Sequence, residues 1–210
     1  FDPMQKSNDL PLTDWILRQR QIVIRDALVT WNDDARNAPQ LVLDRVQFRL
    51  ENRFGRHRFG IAGTPPTDVS APIDIRGDIQ GGSFKEWQKA RGEIYVRLDY
   101  ADVEAWREWL PLPVEIAAGK GALRVWFDFA SGDVREIVAD LELADVKARL
   151  GEGLPELELA HLSGRIGWRG APPEGELFAR DLAFVTAARA RLEPTNFTVS
   201  MRAAAAGGAP

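Results

Sequence analysis

At 210 residues, 45% of them hydrophobic and 28% charged, the chain can bury a real core as one large domain or two small ones. A net charge of −4 gives no basic field for a phosphate backbone, so nucleic acid is excluded as the main partner. There is no cysteine, which excludes disulfides, thiolate zinc centres and a thiol nucleophile, and no apolar run reaches the ~18 residues needed to cross a bilayer as a helix.

In chain order, Thr13 or Asp14 is placed to cap a short helix from Leu12 to Arg20 that carries Trp15 and Ile16. A strand follows from Ile22 to Trp31, the polar run 32–40 reads as a turn, and a second strand spans Leu41 to Leu50. It enters a hairpin whose tip is the stretch 51–58, with Phe59 and Ile61 on the return strand. Ile73, Ile75 and Ile79 alternate with Asp74, Arg76 and Asp78, which predicts a half-buried strand ended by Gly81-Gly82-Ser83. Ile94, Val96 and Leu98 form another strand. Asp102 then caps a helix through Val103, Trp106 and Leu110 that Pro111 and Pro113 terminate. Strands are predicted at 114–116, 123–129 and 137–143, separated by turns at Gly119-Lys120-Gly121 and Ser131-Gly132-Asp133. Past Pro172-Pro173 come a short apolar segment from Leu177, a last strand with Phe197, Val199 and Met201, and a low-complexity tail at 201–210 that reads as flexible. Residues 1–200 are expected to form a single unit, with 10–80 and 92–200 as possible sub-units.

One pattern recurs. Leu141, Leu143, Val146, Ala148 and Leu150 are spaced two, three, two, two, and Leu157, Leu159, Leu162, Gly164, Ile166 and Trp168 repeat the rhythm. So do Ile22, Ile24, Ala27, Val29 and Trp31; Leu41, Leu43, Val46, Phe48 and Leu50; and Leu177, Ala179, Leu182 and Phe184. A period of two puts alternate side chains on one face of a strand, and a bulge absorbs the extra residue so that the apolar set stays on that face. The doubled positions, Arg25-Asp26, Asp44-Arg45, Ala144-Asp145, Ala160-His161 and Arg180-Asp181, each hold a polar residue, as a water-facing bulge would. The fold class expected is therefore mainly β: a large bent antiparallel sheet built of similar units, with one or two short helices. About nine strands give an apolar face on the order of 1,400 Å², and a nine-residue helix covers on the order of 140 Å². The sheet must then close on itself as a sandwich or barrel, or curl into a trough whose lining meets a ligand or another part of a longer chain.

Catalytic chemistry is not apparent. His57 and His161 sit at a turn and a bulge, where solvent-exposed histidine is expected. The carboxylates Asp99, Asp102, Glu104, Asp140, Glu142 and Asp145 fall on outward strand positions or at a helix start, with no pair singled out for acid–base work. No phosphate loop, nucleophile elbow or metal-ligand spacing occurs, so no metal and no cofactor is expected. Arg49, Arg53, Arg56, His57 and Arg58 concentrate cations at one hairpin, as a solvated turn or as a contact for anionic head groups.

The phrases at 10–34, 38–66, 92–129 and 143–168 together resemble the central periplasmic region of YhdP-type proteins in the AsmA-like group, relatives of TamB and of the bridge-like lipid-transfer proteins. Because the sequence starts at Phe1, it reads as a fragment of something longer. The resemblance implies a repeating β-groove, a curled trough, within an inner-membrane-anchored periplasmic protein that is not an enzyme and moves phospholipid toward the outer membrane. It further implies phospholipid acyl chains, neighbouring groove segments of the full-length chain and the membranes at its ends as partners. From the repeat register the expected groove-lining residues are Ile24, Val29, Leu43, Phe48, Leu141, Leu143, Val146, Leu159 and Ile166. Replacing Val146 by Arg is expected to block lipid passage with folding largely intact. The alternative is a closed β-sandwich that scaffolds an envelope assembly complex; an envelope glycan-processing enzyme is a third reading.

Overall fold

The computed structural model describes residues 12–33, 38–81, 89–107, 109, 115–149, 153, 155–170 and 174–201. Ten strands form one antiparallel sheet in sequence order: β1 (Gln21–Trp31), β2 (Leu41–Arg53), β3 (Arg56–Thr64), β4 (Ile73–Gln80), β5 (Arg91–Asp102), β6 (Glu115–Ala130), β7 (Asp133–Arg149), β8 (Leu157–Arg169), β9 (Gly175–Thr186) and β10 (Arg191–Met201). β1 and β10 each pair on one side only, so the sheet is open and is neither a closed sandwich nor a barrel. Two short helices, α1 (Leu12–Arg18) and α2 (Val103–Trp106), accompany it. The second is shorter than the sequence suggests; Leu110, Pro111, Pro113, Pro172-Pro173 and the tail beyond Met201 lie outside the described residues.

Bulges shape the strands where the spacing stretches to three. Asp26, Arg45, Asp145 and Asp181, the second residue of four doubled positions, have φ of 51°, 51°, 52° and 49°. Aspartate, present at three of the four, tolerates this left-handed region because its short side chain bonds locally. At the fifth, the register of β8 against β9 shifts between Leu159 and His161. β5 and β10 shift as well, between Leu98 and Ala101 and between Leu192 and Thr195. In β5 the extra residues serve the β3–β4 connection: Ser70 bridges Ala101, Ala71 N–H donates to Tyr100 O, and Asp102 N–H donates to Val69 O. Each bulge bends its strand and adds twist.

Gly119-Lys120-Gly121 is not a turn. It lies inside β6, which runs unbroken through 115–130 where strands at 114–116 and 123–129 were expected on either side of a turn. Glycine marks a close approach here: a Cβ on Gly121, at φ 151°, would stand 2.0 Å from the Glu142 carbonyl oxygen of β7. The β2–β3 hairpin is tighter than expected, turning on Phe54-Gly55 alone with φ of 51° and 71°. That is the turn hand favoured by hairpin twist, ordinarily built from Asn-Gly, and a phenylalanine held there costs about 1–2 kcal/mol.

The buried clusters gather toward one end of the sheet, where the bulges lie. Leu143, Val146, Ala148 and Leu159 form one, joined by Phe184 from β9. Leu41, Val69 and Trp109 form a second and Ile73, Leu98 and Ala101 a third; Leu43 and Trp106 pack against both. Asp102 positions this cap by accepting from Glu104 N–H at 3.1 Å and Ala105 N–H at 3.3 Å at the start of α2.

Candidate functional site

Because paired residues of an antiparallel sheet share a face, the strand register defines which side chains lie side by side. One row crosses all ten strands: Ile24, Phe48, Ile61, Ile75, Val96, Val125, Ala139, Ile166, Ala179 and Phe197. A second runs beside it through Ile22, Leu50, Phe59, Gly77, Ile94, Phe127, Ile137, Trp168, Leu177 and Val199. Neither contains a polar side chain. Nine inter-strand steps of about 4.8 Å carry each row about 43 Å, nearly three times the ~15 Å thickness of one leaflet's hydrocarbon.

All nine residues expected from the repeat register stand on this face, and they fall into two environments. Leu143, Val146 and Leu159 are buried at the bulge end. Phe48, Leu141 and Ile166 are half-buried, as is Leu43 beside α2, and Ile24 and Val29 on the edge strand are 45% and 39% exposed. Val146, 4% exposed inside the first cluster, is a core residue, so an arginine there would break the fold and not merely line the path. The middle of the face, from Ile75 through Val96 and Val125 to Ala139, is half-buried on every strand.

The opposite face is ionic. Asp74, Arg97, Arg124, Asp140, Arg165 and Arg180 follow one another across β4 to β9. Arg165 donates to both Asp140 oxygens at 2.5 and 2.8 Å, and this bonding holds the Asp140 carboxyl below the usual carboxylate range. Arg56 does the same for Asp78 at 2.6 and 2.5 Å, with Arg58 adding a bond at 3.0 Å. Trp126 is on this side, not in the apolar lining; it packs on Tyr95 with centroids 5.2 Å apart and lies under the Arg165 guanidinium. Trp168 and Trp31 belong to the apolar face, while Trp106 and Trp109 meet edge-on above it, Trp109 Nε1 donating to Pro39 O at 2.8 Å.

His57 corrects an expectation. It is buried, not solvent-exposed, because it opposes Ile79 on the apolar face. Its Nδ1 meets Asn52 Oδ1 at 2.7 Å and its Nε2 meets Gly81 O at 2.9 Å. Counting back in twos from Ile61 and Phe59 would have placed it. The hairpin cations are also engaged: Arg49 with Glu51, Arg56 and Arg58 with Asp78, and Arg53 over the Phe54 ring. Asp102 pairs with Lys120 at 3.2 Å in addition to capping α2. Among the described residues, no group of three or more His, Asp or Glu is placed to hold a metal ion, and no helix is long and apolar enough to cross a membrane.

No curated protein and no solved structure matches the chain. A protein-family model described as YhdP protein matches residues 1–209. That family is consistent with a periplasmic envelope protein and with a relationship to TamB and the AsmA-like group. With the match extending over nearly its whole length, the chain belongs to the YhdP protein family.

Proposed function

We propose that this chain is a lipid-binding segment of a groove that conducts phospholipid through the periplasm toward the outer membrane, with acyl chains along the apolar face and head groups in water. The observation that carries this reading is the pair of unbroken apolar rows across ten strands, half-open in their middle, behind an ionic face. Burying a sixteen-carbon chain at about 0.8 kcal/mol per CH₂ gives on the order of 12 kcal/mol, enough to draw it from a bilayer when the path is continuous. No bond is made or broken in such a role, and neither a metal nor a cofactor is called for.

The edges support extension of the path. An even number of strands leaves β1 and β10 antiparallel, and both carry their bulge toward the same end of the sheet. A neighbouring segment of the same build, adding its first strand beside β10, would continue the row after Phe197 with its own counterpart of Ile24. Native mass spectrometry of the purified chain tests the groove. Phospholipid adducts are expected; a clean apo mass after expression in a lipid-replete cell would leave the open sheet as a scaffold only.

A further inference from the structure

The β2–β3 hairpin tip and α1 share a corner of the sheet that the groove does not use. Phe54 is 92% exposed at φ 51°, so neither turn chemistry nor core packing calls for a phenylalanine there. Its ring meets the Arg53 guanidinium at 5.3 Å. α1 turns Leu12 and Trp15, one helical turn apart, toward solvent at 70% and 52% exposure. Asn52 fixes the helix beside the tip: its Nδ2 donates to Ile16 O at 3.0 Å and Gln19 O at 2.6 Å, and its backbone N–H donates to Arg20 O at 3.0 Å. Three large apolar side chains thus project from one corner, two residues of β2 from the turn.

The surrounding charge is positive. Glu51 is taken up by Arg49, Asp78 by Arg56 and Arg58, and Asp14 turns Oδ1 inward, while Arg18, Arg20 and Arg53 are exposed. We propose that this corner docks on a membrane surface containing anionic lipid, with Phe54, Trp15 and Leu12 entering the interface and Arg18, Arg20 and Arg53 against the head groups. A folded protein partner fits less well, because a stable interface buries about 1,000 Å² or more and these side chains stand on two separate tips. A bilayer accepts separate apolar wedges flanked by cations whose stems snorkel. Docking here goes beyond the groove reading and stands without it, since the corner can bind a bilayer whether or not the apolar face carries lipid.

The experiment is flotation of the whole chain with vesicles of phosphatidylcholine alone or doped with phosphatidylglycerol, at low and high salt. Binding is expected on the doped vesicles and weakened by salt. Phe54→Asn is the decisive variant, because asparagine suits the turn: it should melt higher than the parent yet bind about tenfold more weakly. Leu28→Ser, at an exposed apolar side chain of β1 that belongs to neither the apolar rows nor this corner, should bind as the parent does. Parent-like binding by Phe54→Asn, an equal loss in Leu28→Ser, or no flotation on doped vesicles would each overturn the proposal. A groove failure reads differently, as missing lipid adducts in a chain that still floats.

Discussion

Arginine placed at two positions of the apolar face should have opposite consequences, and the difference can be worked from burial. Val146 is 4% exposed among Leu143, Ala148 and Leu159, with Gly119 close enough that a Cβ there would lie 3.6 Å from its methyl group. Val146→Arg forfeits about 2 kcal/mol of apolar burial and sets a guanidinium among Leu143, Ala148 and Leu159, a penalty of several kcal/mol more. Against a domain stability of about 5–15 kcal/mol, that removes much or all of the fold. Ile166 sits mid-row between the small Ala139 and Ala179 and is half-buried, so Ile166→Arg can send its guanidinium to water and should cost only about 1 kcal/mol. The same charge across the acyl path costs a bound lipid about 3 kcal/mol, a loss of about a hundredfold in occupancy. Circular-dichroism melts paired with native mass spectrometry separate the two effects. The reasoning fails if Val146→Arg melts like the parent, or if Ile166→Arg is folded and keeps its full complement of lipid adducts.

Gly121→Ala should destabilise by about 1–3 kcal/mol, because its Cβ would collide with the Glu142 carbonyl and force β6 from β7. Gly60→Ala, with nothing within 4 Å of the added carbon, is the matched control, and equal urea midpoints for the two would refute the close-approach account. Asp102→Ala removes the cap of α2 and its bond to Lys120 and should cost about 1 kcal/mol, read as a lower melting temperature accompanied by a change in tryptophan fluorescence from Trp106 and Trp109. Asp78 and Asp140 are held ionised below their unfolded pKa by arginine bonds, so their contribution is present above about pH 4 and lost as pH falls through the folded values. Each exposed pair is worth about 0.2–1 kcal/mol. Urea midpoints should decline on acidification, and the decline should flatten in an Asp78→Asn, Asp140→Asn double variant; an unchanged slope would contradict the assignment.

The spacing rhythm was readable because it is a one-dimensional record of a two-dimensional constraint. Where a strand must keep one oily face across a bulge, three replaces two in the sequence, as in Leu143 to Val146 or Leu43 to Val46. The bulges in β5 and β10 escaped notice for chemical reasons. In β5 the apolar set ends on the small Ala101 just before a helix cap, and in β10 the residue after the gap is Thr195, which carries too little hydrophobic signal. Glycine misled in the other direction at Gly121, since the same residue marks a turn and a backbone approach and only the paired strand tells them apart. The openness of the sheet was not readable either. Alternation reports which residues share a face, while closure depends on whether the first and last strands meet, and no residue of β1 or β10 encodes that alone.

Bulge position links architecture to the proposed path. Asp145 of β7 faces Ala160 of β8 in an unshifted register, so two extra residues cancel between neighbours and bend both strands together. β1 and β2 do the same, with one shift on either side of the Ala27–Val46 pair, and so do β9 and β10 around Leu182–Thr195. Paired bulges make a crease that crosses strands, with hydrogen bonding regained beyond it. On one side of the crease lie most of the buried residues and the α2 cap; on the other the rows from Ile24 to Phe197 and from Ile22 to Val199 stay uncovered at their edges. A flat sheet of this composition would expose its whole oily face and aggregate. A creased one buries one margin as its own core and keeps the rest as a strip, which requires that core positions such as Val146 and strip positions such as Ile166, indistinguishable by hydrophobicity, differ in what a charge does to them.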